Sequence, residues 1–388
     1  MSRNRVIYQS EGLFVSDDAS AVLATKHEQL NRIQSANYSF TINRQDVNQF
    51  GDLARIDSLV LDPPTVSLDF SYYLADGFNE RSLGFFVQTT GAGMNRGITS
   101  AAGGAGNFAS GQLQANSGVN FYIVTSPNGE DLNRPEDKVN GGEALSATDS
   151  VIGVGNCYLS DYSVDLSVGS LPTVNVTVEG ANMRSVAGSA TTGSPAIDQE
   201  AGTPLALNVA LPNPTKDGGV TGTIGSAPIT ALRPGDVTLN LTAIDGVSLV
   251  KLDGSDGAHV QSASISLPLS RSPIDRLGSR FPFAREVDFP VNATLNVSAI
   301  VAETQSANLS ALLNSGVQNA EVEVKDSQGI PAIRYNLKGL KVDSQSFSSS
   351  IGSNKTVDIT FSTQIGGPND QLNGIFMSGI NGTNKVFV

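Results

Sequence analysis

Residues 32–51 read RIQSANYSFTINRQDVNQFG, and residues 258–278 read AHVQSASISLPLSRSPIDRLG. Both stretches contain Gln-Ser-Ala, continue in an alternation of apolar and polar residues, and reach an Arg and then a Gly. Alternation with a period of two is typical of a β-strand with one buried face. Because one pattern recurs in two distant places, a unit of the chain is predicted to be repeated.

The repeat extends beyond these two stretches. At an offset of 227 residues, 33–75 aligns without a gap with 260–302, and eleven positions are identical. The identical pairs are Gln34/Gln261, Ser35/Ser262, Ala36/Ala263, Ser39/Ser266, Arg44/Arg271, Gly51/Gly278, Val60/Val287, Pro63/Pro290, Leu68/Leu295, Ser71/Ser298 and Ala75/Ala302. A second block, 161–178, aligns with 344–361 at an offset of 183. Since both blocks recur in the same order, we predict that a whole domain is duplicated.

The composition is that of a folded protein rich in strands. Of 388 residues, 39% are hydrophobic and 16% charged, and the 40 Gly and 17 Pro suit many strands joined by turns. Period-two alternation recurs in stretches such as TVSLDFSYY (65–73) and TVNVTVEG (173–180). Helical periodicity is weak, and its best candidates lie near Lys26, after Asp46 and after Glu303. We predict a mostly β protein.

We predict two tandem domains. The first covers 1–185, and the second, more divergent copy covers 232–388, with a linker or strand-poor crossover at 186–231. The two offsets differ by 44 residues (227 − 183), so the first copy carries extra residues. We interpret these as a long exposed hairpin or insertion at about 89–155.

The sequence offers no pattern of a catalytic or metal site. His27 lacks the second His of a zinc-binding motif, His259 stands among turn residues, and we expect both at the surface. Oxygen-rich stretches near Pro127 and Asp253 do not follow the spacing of an EF-hand loop. Cys157 is the only cysteine, and we expect it to be a small buried side chain. We predict no enzymatic activity, no cofactor and no metal.

The charge and hydropathy patterns bear on location and partners. The formal net charge is −13, so the chain is a poor candidate for holding nucleic acid through its phosphates. The N-terminus has no apolar stretch of signal-peptide length, and no later segment approaches a membrane span. We therefore expect the chain to be made in, and assembled from, a cytoplasm.

Four stretches of the first copy resemble a bacteriophage tail tube protein. They are VIYQSEGLFVS (6–16), RIQSANYSFTINRQDVNQFGDLARID (32–57), PPTVSLDFSYYLADGFNE (63–80) and GNCYLSDYSVDLSVGSLPTVNVTVEGANM (155–183). The resemblance covers about 5–183, and 232–380 is a more divergent match. It implies β-sandwich or barrel domains whose long strands join neighbouring subunits into a ring. Stacked rings form a tube through which the viral genome passes.

The duplication is a departure from the family pattern, in which one domain per chain forms hexameric rings. Two domains per chain predict a trimeric, pseudo-hexameric ring. If each domain contributes about four strands, a ring holds roughly 24, and a spacing of about 4.8 Å with a tilt near 40° gives a backbone diameter of about 48 Å. Twelve strands would give about half that width, too narrow for a hydrated duplex.

A lumen for sliding DNA should repel phosphate rather than bind it. The candidate lumen-facing residues are Asp69, Asp165, Glu179, Glu321, Glu323 and Asp358. The alternative is that these carboxylates only keep an outer face soluble. The insertion at 89–155 and the segments after each repeated Arg, 45–61 and 272–288, are candidates for ring-to-ring contacts. Their candidate contact residues are Gln45, Asn48, Arg55, Asp275, Arg276 and Arg285.

The resemblance also implies partners. The chain would bind itself within and between rings, and would meet the tape measure protein, the tail terminator and baseplate proteins. Double-stranded DNA would pass without specific binding, and the protein would belong to the virion tail, assembled in the host cytoplasm. Whether a sheath surrounds the tube, as in a contractile tail, stays open at this point.

Two other interpretations of the sequence remain. The first is a trimeric hub or distal tail or baseplate component built from two tube-like domains, which copy number per virion would separate from a tube protein. The second is an immunoglobulin-like binding module, although the chain has one Cys and no Trp, and antibody-type domains use an inter-sheet disulfide and a core Trp.

Overall fold

A computed structural model gives the fold of the chain. It describes residues 10–88, 107–115, 117–126, 132, 149–187, 191–214, 232, 237–240, 259–278, 281–282, 284–301, 317–325 and 331–379. Strands provide nearly all of the regular structure in these ranges. Two short helices, α1 (Phe78–Ser82) and α2 (Ser110–Gln114), and one 3-10 turn (Ala24–Lys26) accompany them. The prediction of a mostly β protein is confirmed.

Eleven strands belong to the first half of the described chain. They are β1 (Glu11–Ser16), β2 (His27–Gln29), β3 (Ile33–Thr41), β4 (Arg44–Val47), β5 (Asp57–Val60), β6 (Thr65–Tyr73), β7 (Val87–Gln88), β8 (Val119–Thr125), β9 (Ser150–Ser167), β10 (Thr173–Gly180) and β11 (Asn182–Val186).

Four short strands follow between the halves, and nine more belong to the second half. The short ones are β12 (Thr191–Gly193), β13 (Ile197–Asp198), β14 (Thr203–Pro204) and β15 (Asn208–Ala210). The second half contains β16 (Val237–Asn240), β17 (His259–Pro268), β18 (Arg271–Ile274), β19 (Ala284–Val287), β20 (Val291–Ile300), β21 (Gln318–Lys325), β22 (Pro331–Ser348), β23 (Thr356–Ile365) and β24 (Gly374–Gly379).

Eight strands form a continuous antiparallel path, in the order β22-β23-β20-β17-β9-β10-β6-β3. The second half supplies the first four strands and the first half the last four. Each half runs in the same internal order, from its long strand (β22 or β9) through its hairpin partner to the two strands of the repeated block. The halves are therefore joined head to tail, with β17 paired to β9.

The N-terminal parts of the two long strands leave this path and enter a second section of sheet. There β9 pairs with β8 and β11, and β22 pairs with β21 and β24. β1 pairs with β8, and β16 with β21. Each of these strands has a counterpart at the same place in the chain order of the other half. The domain boundaries drawn from the sequence stay a prediction.

Local geometry explains part of the repeated sequence. The register of β3 against β6 and of β17 against β20 shifts at the same residue of the repeat, Gln34 in one half and Gln261 in the other. Each of these side chains donates to the carbonyl oxygen two residues before it, at 3.0 and 3.3 Å. Gly169 and Gly352 turn the chain after each long strand with φ of 87° and 89°, a conformation that favours glycine.

One hydrophobic core runs through both halves. Alternate residues of the path, such as Leu68, Val176, Leu295 and Ile359, lie in it and are at most 2% exposed. Phe121 of the second section packs in the same cluster. The opposite side of the path carries mostly Ser, Thr and Asn side chains, so the period of two in the sequence corresponds to the two faces of this sheet.

The two described helix candidates are wrong. The stretch near Lys26 forms β2, and the stretch after Asp46 forms the hairpin β4–β5. The third candidate, after Glu303, lies outside the described residues. In the hairpin, Phe50 and Leu53 are fully exposed. Their spacing of three residues is also typical of the apolar face of a helix, but they pack against nothing described in this chain.

Two segments that the sequence analysis set apart from the repeat contain residues that are buried in the structure. The segment 89–155 contains α2 and β8, and Phe108 and Phe121 within it are completely buried. Because β8 is the counterpart of β21, the extra residues of the first half fall on both sides of β8 in chain order, and the insertion at about 89–155 stays a prediction. Between the halves, Ala196 and Val209 are also buried, so the described part of that crossover packs onto the molecule.

Candidate assembly surface

The junction between the two halves is a regular antiparallel ladder, which we call the internal seam. It runs from Ser262↔Ser167 to Pro268↔Asp161 without a shift in register. On the core side of this ladder, Ile265 is completely buried. The internal seam therefore continues both the hydrogen bonds and the core from one half into the other.

Both kinds of strand that form the internal seam occur again at the ends of the path. β3 is the counterpart of β17, and among the described strands it pairs only with β6. The last part of β22 is the counterpart of the seam part of β9. Within the described ranges, Ser346–Ser348 pairs only with β23. A single chain thus carries the two complementary edges of one further seam, at opposite ends.

Apolar side chains at these outer edges are exposed where their counterparts are buried. Leu267 of β17 is 0% exposed, and its counterpart Phe40 of β3 is 60% exposed. Val164 of β9 is 0% exposed, and its counterpart Phe347 of β22 is 41% exposed. Large apolar side chains beside an open strand edge are typical of a surface that another chain covers.

The polar face of the path is continuous across the internal seam. Cross-strand pairs connect Asp69 to Thr177, Asp165 to Ser264, and Ser298 to Asp358. Asp69, Asp165, Glu179 and Asp358 are all exposed on this face. Four of the six candidate lumen residues therefore share one surface.

The polar face includes two charged residues that the sequence reasoning did not select. Asp161 lies opposite Thr177 and is half-buried, and desolvation raises its pKa. Residues four apart on a strand lie on the same face, so the spacing of Asp161 from Asp165 could have indicated this position from the sequence. Lys341 lies opposite Ser362 and adds one cation. A depression of about 480 Å³ on four neighbouring strands is lined by Asp165 and Asp358.

The other two lumen candidates lie elsewhere. Glu321 and Glu323 are on β21, in the second section of sheet, and both pair with Arg334, whose side chain is 4% exposed. The Arg334 Nε lies 2.8 Å from Glu321 Oε1. Burial alone would raise the pKa of Glu323, but Arg334 and Lys325 outweigh it and lower that pKa. These two carboxylates neutralise a buried arginine.

The candidate inter-ring residues lie on two equivalent hairpins, β4–β5 and β18–β19. Gln45, Asn48 and Arg55 are exposed on the first, where Arg55 Nη1 donates to Asp46 Oδ1 at 2.9 Å. On the second hairpin, Asp275 is also exposed.

The second hairpin also contacts the first half of the chain. Arg285 Nη1 lies 3.4 Å from Glu179 Oε2, and Arg276 donates to the Glu200 carbonyl. The repeated Arg271 donates to the carbonyl oxygens of Gln112 and Ala115. At least part of the second hairpin therefore makes a lateral contact between halves, beside the internal seam.

A buried polar network connects the halves, and no pattern in the sequence indicates it. Glu80, 1% exposed, accepts hydrogen bonds from Tyr72 at 2.9 Å and Tyr162 at 3.3 Å. The Tyr162 hydroxyl lies 3.0 Å from that of Tyr335 on β22. Burial raises the pKa of Glu80 to about 7, and the negative charge of Asp76 adds to the shift, while the hydrogen bonds oppose it.

The structure also gives the positions of the cysteine and the two histidines, for which the sequence predicts no catalytic role. Cys157 is 1% exposed, as expected, and burial raises the pKa of its thiol. His259 is exposed, also as expected. His27 was expected at the surface but is 3% exposed, with its ring 5.4 Å from that of Tyr122 and its Nδ1 2.9 Å from the Leu23 carbonyl oxygen.

No protein-family model and no curated protein matches the chain. Among solved structures, one match is a chain of the "Cryo-EM structure of the anti-feeding prophage (AFP) baseplate, 6-fold symmetrised". The match has 13% sequence identity and a TM-score of 0.22, and it covers 32% of this chain and 80% of that chain. Among the described residues, the helices are too short and too polar to span a bilayer.

Proposed function

We propose that the chain is a structural virion protein that forms the tail tube, as stacked rings of three chains with six quasi-equivalent units per ring. The observation that carries this proposal is the head-to-tail internal seam. A head-to-tail contact between equivalent units is heterologous, and such contacts generate closed rings when the rotation closes and helical filaments when it does not. One such contact is present inside the chain, and no described strand pairs with the edges that would form the next.

The polar face supports a tube rather than a solid assembly. In a closed ring, the core side of the sheet faces away from the lumen, and the Ser, Thr, Asn and carboxylate side chains line it. Asp69, Asp161, Asp165 and Asp358 give this wall negative charge. Such a wall repels phosphate and keeps water between itself and a passing duplex.

Electron microscopy of the purified protein tests the proposal. We expect stacked rings with a channel on the order of 40 Å wide, as about 24 tilted strands would give. Native mass measurement should give three chains per ring. Isolated trimers that never stack, with few copies per virion, would favour a hub or baseplate component instead. Compact monomers at high protein concentration would reject both.

A further inference from the structure

We infer that a second copy of this chain completes the sheet, by pairing its β22 with β3 of the first copy in the register of the internal seam. This inference deepens the proposed ring and rests on it. Its basis is the internal pseudo-symmetry of the chain: β3 is equivalent to β17 at an offset of 227, and β22 is equivalent to β9 at an offset of 183.

The register between chains follows from that of the internal seam. Within the chain, Ser264 of β17 faces Asp165 of β9. The offsets convert this pair into Asn37 of one chain opposite Ser348 of the next. The neighbouring pair, Ile265↔Val164, becomes Tyr38 opposite Phe347.

This register keeps like faces together. Asn37 lies opposite Asp69 on the polar face, and Ser348 lies opposite Thr356 on the polar face of β23. Tyr38 and Phe347 lie on the core side, since their cross-strand partners Leu68 and Val357 are completely buried. A slip by one residue would place polar side chains against the core, so only slips by an even number compete.

The same arrangement would bury the exposed apolar residues at the two outer edges. The Lys355 ammonium lies over the ring of Phe347, 5.0 Å from the ring centre. The Phe347 side chain is nevertheless 41% exposed in the single chain. Tyr38 of the next copy would lie beside it, as Ile265 lies beside Val164. Phe40 would be covered as its counterpart Leu267 is. An aromatic cross-strand pair contributes to sheet stability beyond the area that it buries.

The hydrogen-bonding pattern selects the positions for a disulfide test. In the internal seam, Val168 N donates to Gln261 O and Leu269 N to Ser160 O. These define the hydrogen-bonded pairs, so Ser264↔Asp165 is a non-hydrogen-bonded pair, in which the side chains approach most closely. Its equivalent between chains, Asn37 with Ser348, is therefore the best site for a cross-strand disulfide.

The experiment is oxidative crosslinking of the full chain carrying Asn37→Cys with Ser348→Cys. Within one chain these positions lie at opposite ends of eight strands, about 34 Å apart at about 4.8 Å per strand, so a disulfide reports a neighbouring copy. We expect dimer and trimer bands under non-reducing conditions, with the trimer as the largest species. Chains with Asn37→Cys alone, mixed with chains with Ser348→Cys alone, should stop at the dimer.

Two matched variants test the register: Asn37→Cys with Ser346→Cys, and Asn37→Cys with Ser350→Cys. Each represents a slip by two residues that preserves the faces. Because a disulfide requires a Cα separation of about 4.4–6.8 Å, we expect at least about ten-fold less crosslinking from either. Preferred crosslinking of either variant overturns the inferred register.

Microscopy of the same samples separates the inference from the proposed function. Rings that form but do not crosslink at Asn37 and Ser348 overturn the inferred seam and leave the proposed tube intact. Crosslinked ladders that extend past the trimer, together with open filaments, support the seam and contradict the closed ring of three. Monomers without crosslinks reject both.

Discussion

The buried Glu80 makes the stability of the chain depend on pH, and Glu80→Gln should remove that dependence. Glu80 accepts hydrogen bonds from Tyr72 and Tyr162, and a glutamine keeps an oxygen that can accept both. The substitution removes the titration and retains the shape. Any constant effect of the new amide group on stability is the same at every pH, so it cancels when two pH values are compared.

The magnitude follows from the pKa of Glu80. Burial raises this pKa from 4.5 to about 7, a difference of about 2.5 units, and each unit corresponds to about 1.36 kcal/mol. Because the folded state binds the proton more tightly than the unfolded state, the contribution of Glu80 is fully present below pH 4.5. It is lost as the pH rises through about 7, so the wild-type chain should lose roughly 3 kcal/mol from this group between pH 4.5 and pH 8.

The measurement is urea unfolding at several pH values from 4.5 to 8, followed by fluorescence of the tyrosines. The free energy of unfolding of Glu80→Gln, minus that of the wild type, should rise by roughly 3 kcal/mol across this range. Glu200→Gln, which changes an exposed loop carboxylate, is the control and should give a flat difference. If Glu80→Gln also gives a flat difference, the carboxyl group is not held in its neutral form and the reasoning fails.

Three further outcomes are expected. Phe50→Ser with Leu277→Ser removes the exposed apolar side chains at the tips of the two equivalent hairpins. Tubes in electron micrographs should become shorter while single rings persist. Leu372→Ser changes an exposed apolar residue outside the hairpins and should leave tube length unchanged. Arg334→Met leaves two partly exposed carboxylates without their shared cation and should lower the free energy of unfolding by about 1–3 kcal/mol, measured by urea denaturation. Asp165→Lys places a cation on the polar face, so assembled tubes should retain double-stranded DNA in a pull-down at low salt and release it as salt rises; equal recovery from wild-type tubes would contradict the proposed lumen.

The sequence predicted the strands of the path because each buries one face within the chain. Alternation in stretches such as 65–73 corresponds to a core side and a polar side, and this also placed four of the six candidate lumen residues on one face. The same rule failed for the hairpin β4–β5. There Phe50 and Leu53 are apolar but exposed, and periodicity indicates secondary structure only where the pattern reflects burial inside the chain.

Other features depend on distant contacts that periodicity does not encode. Glu321 and Glu323 alternate as lumen residues would, yet they pair with Arg334 on a strand that follows several residues later. Glu80 lies on a five-residue helix, and its network becomes visible only when Tyr335 of the second half is brought beside Tyr162. A single sequence gives no signal for such a pairing.

If the chain forms the proposed ring, its duplication changes the energetics of closure. Six separate domains would form six contacts in five associations, and each association is opposed by the loss of translational and rotational freedom of the joining unit, several kcal/mol. In this chain the internal seam is formed during folding, so a ring of three chains with six units needs only two associations, which together form three contacts between chains. The internal seam and the proposed seam between chains would also differ chemically, since Gln345 of β22 stands at the position equivalent to Tyr162 of the internal seam. We therefore expect the network of Glu80 to affect the fold of each chain and, in the proposed ring, Phe40 and Phe347 to affect whether chains join, so that the two steps respond independently to pH and to substitution.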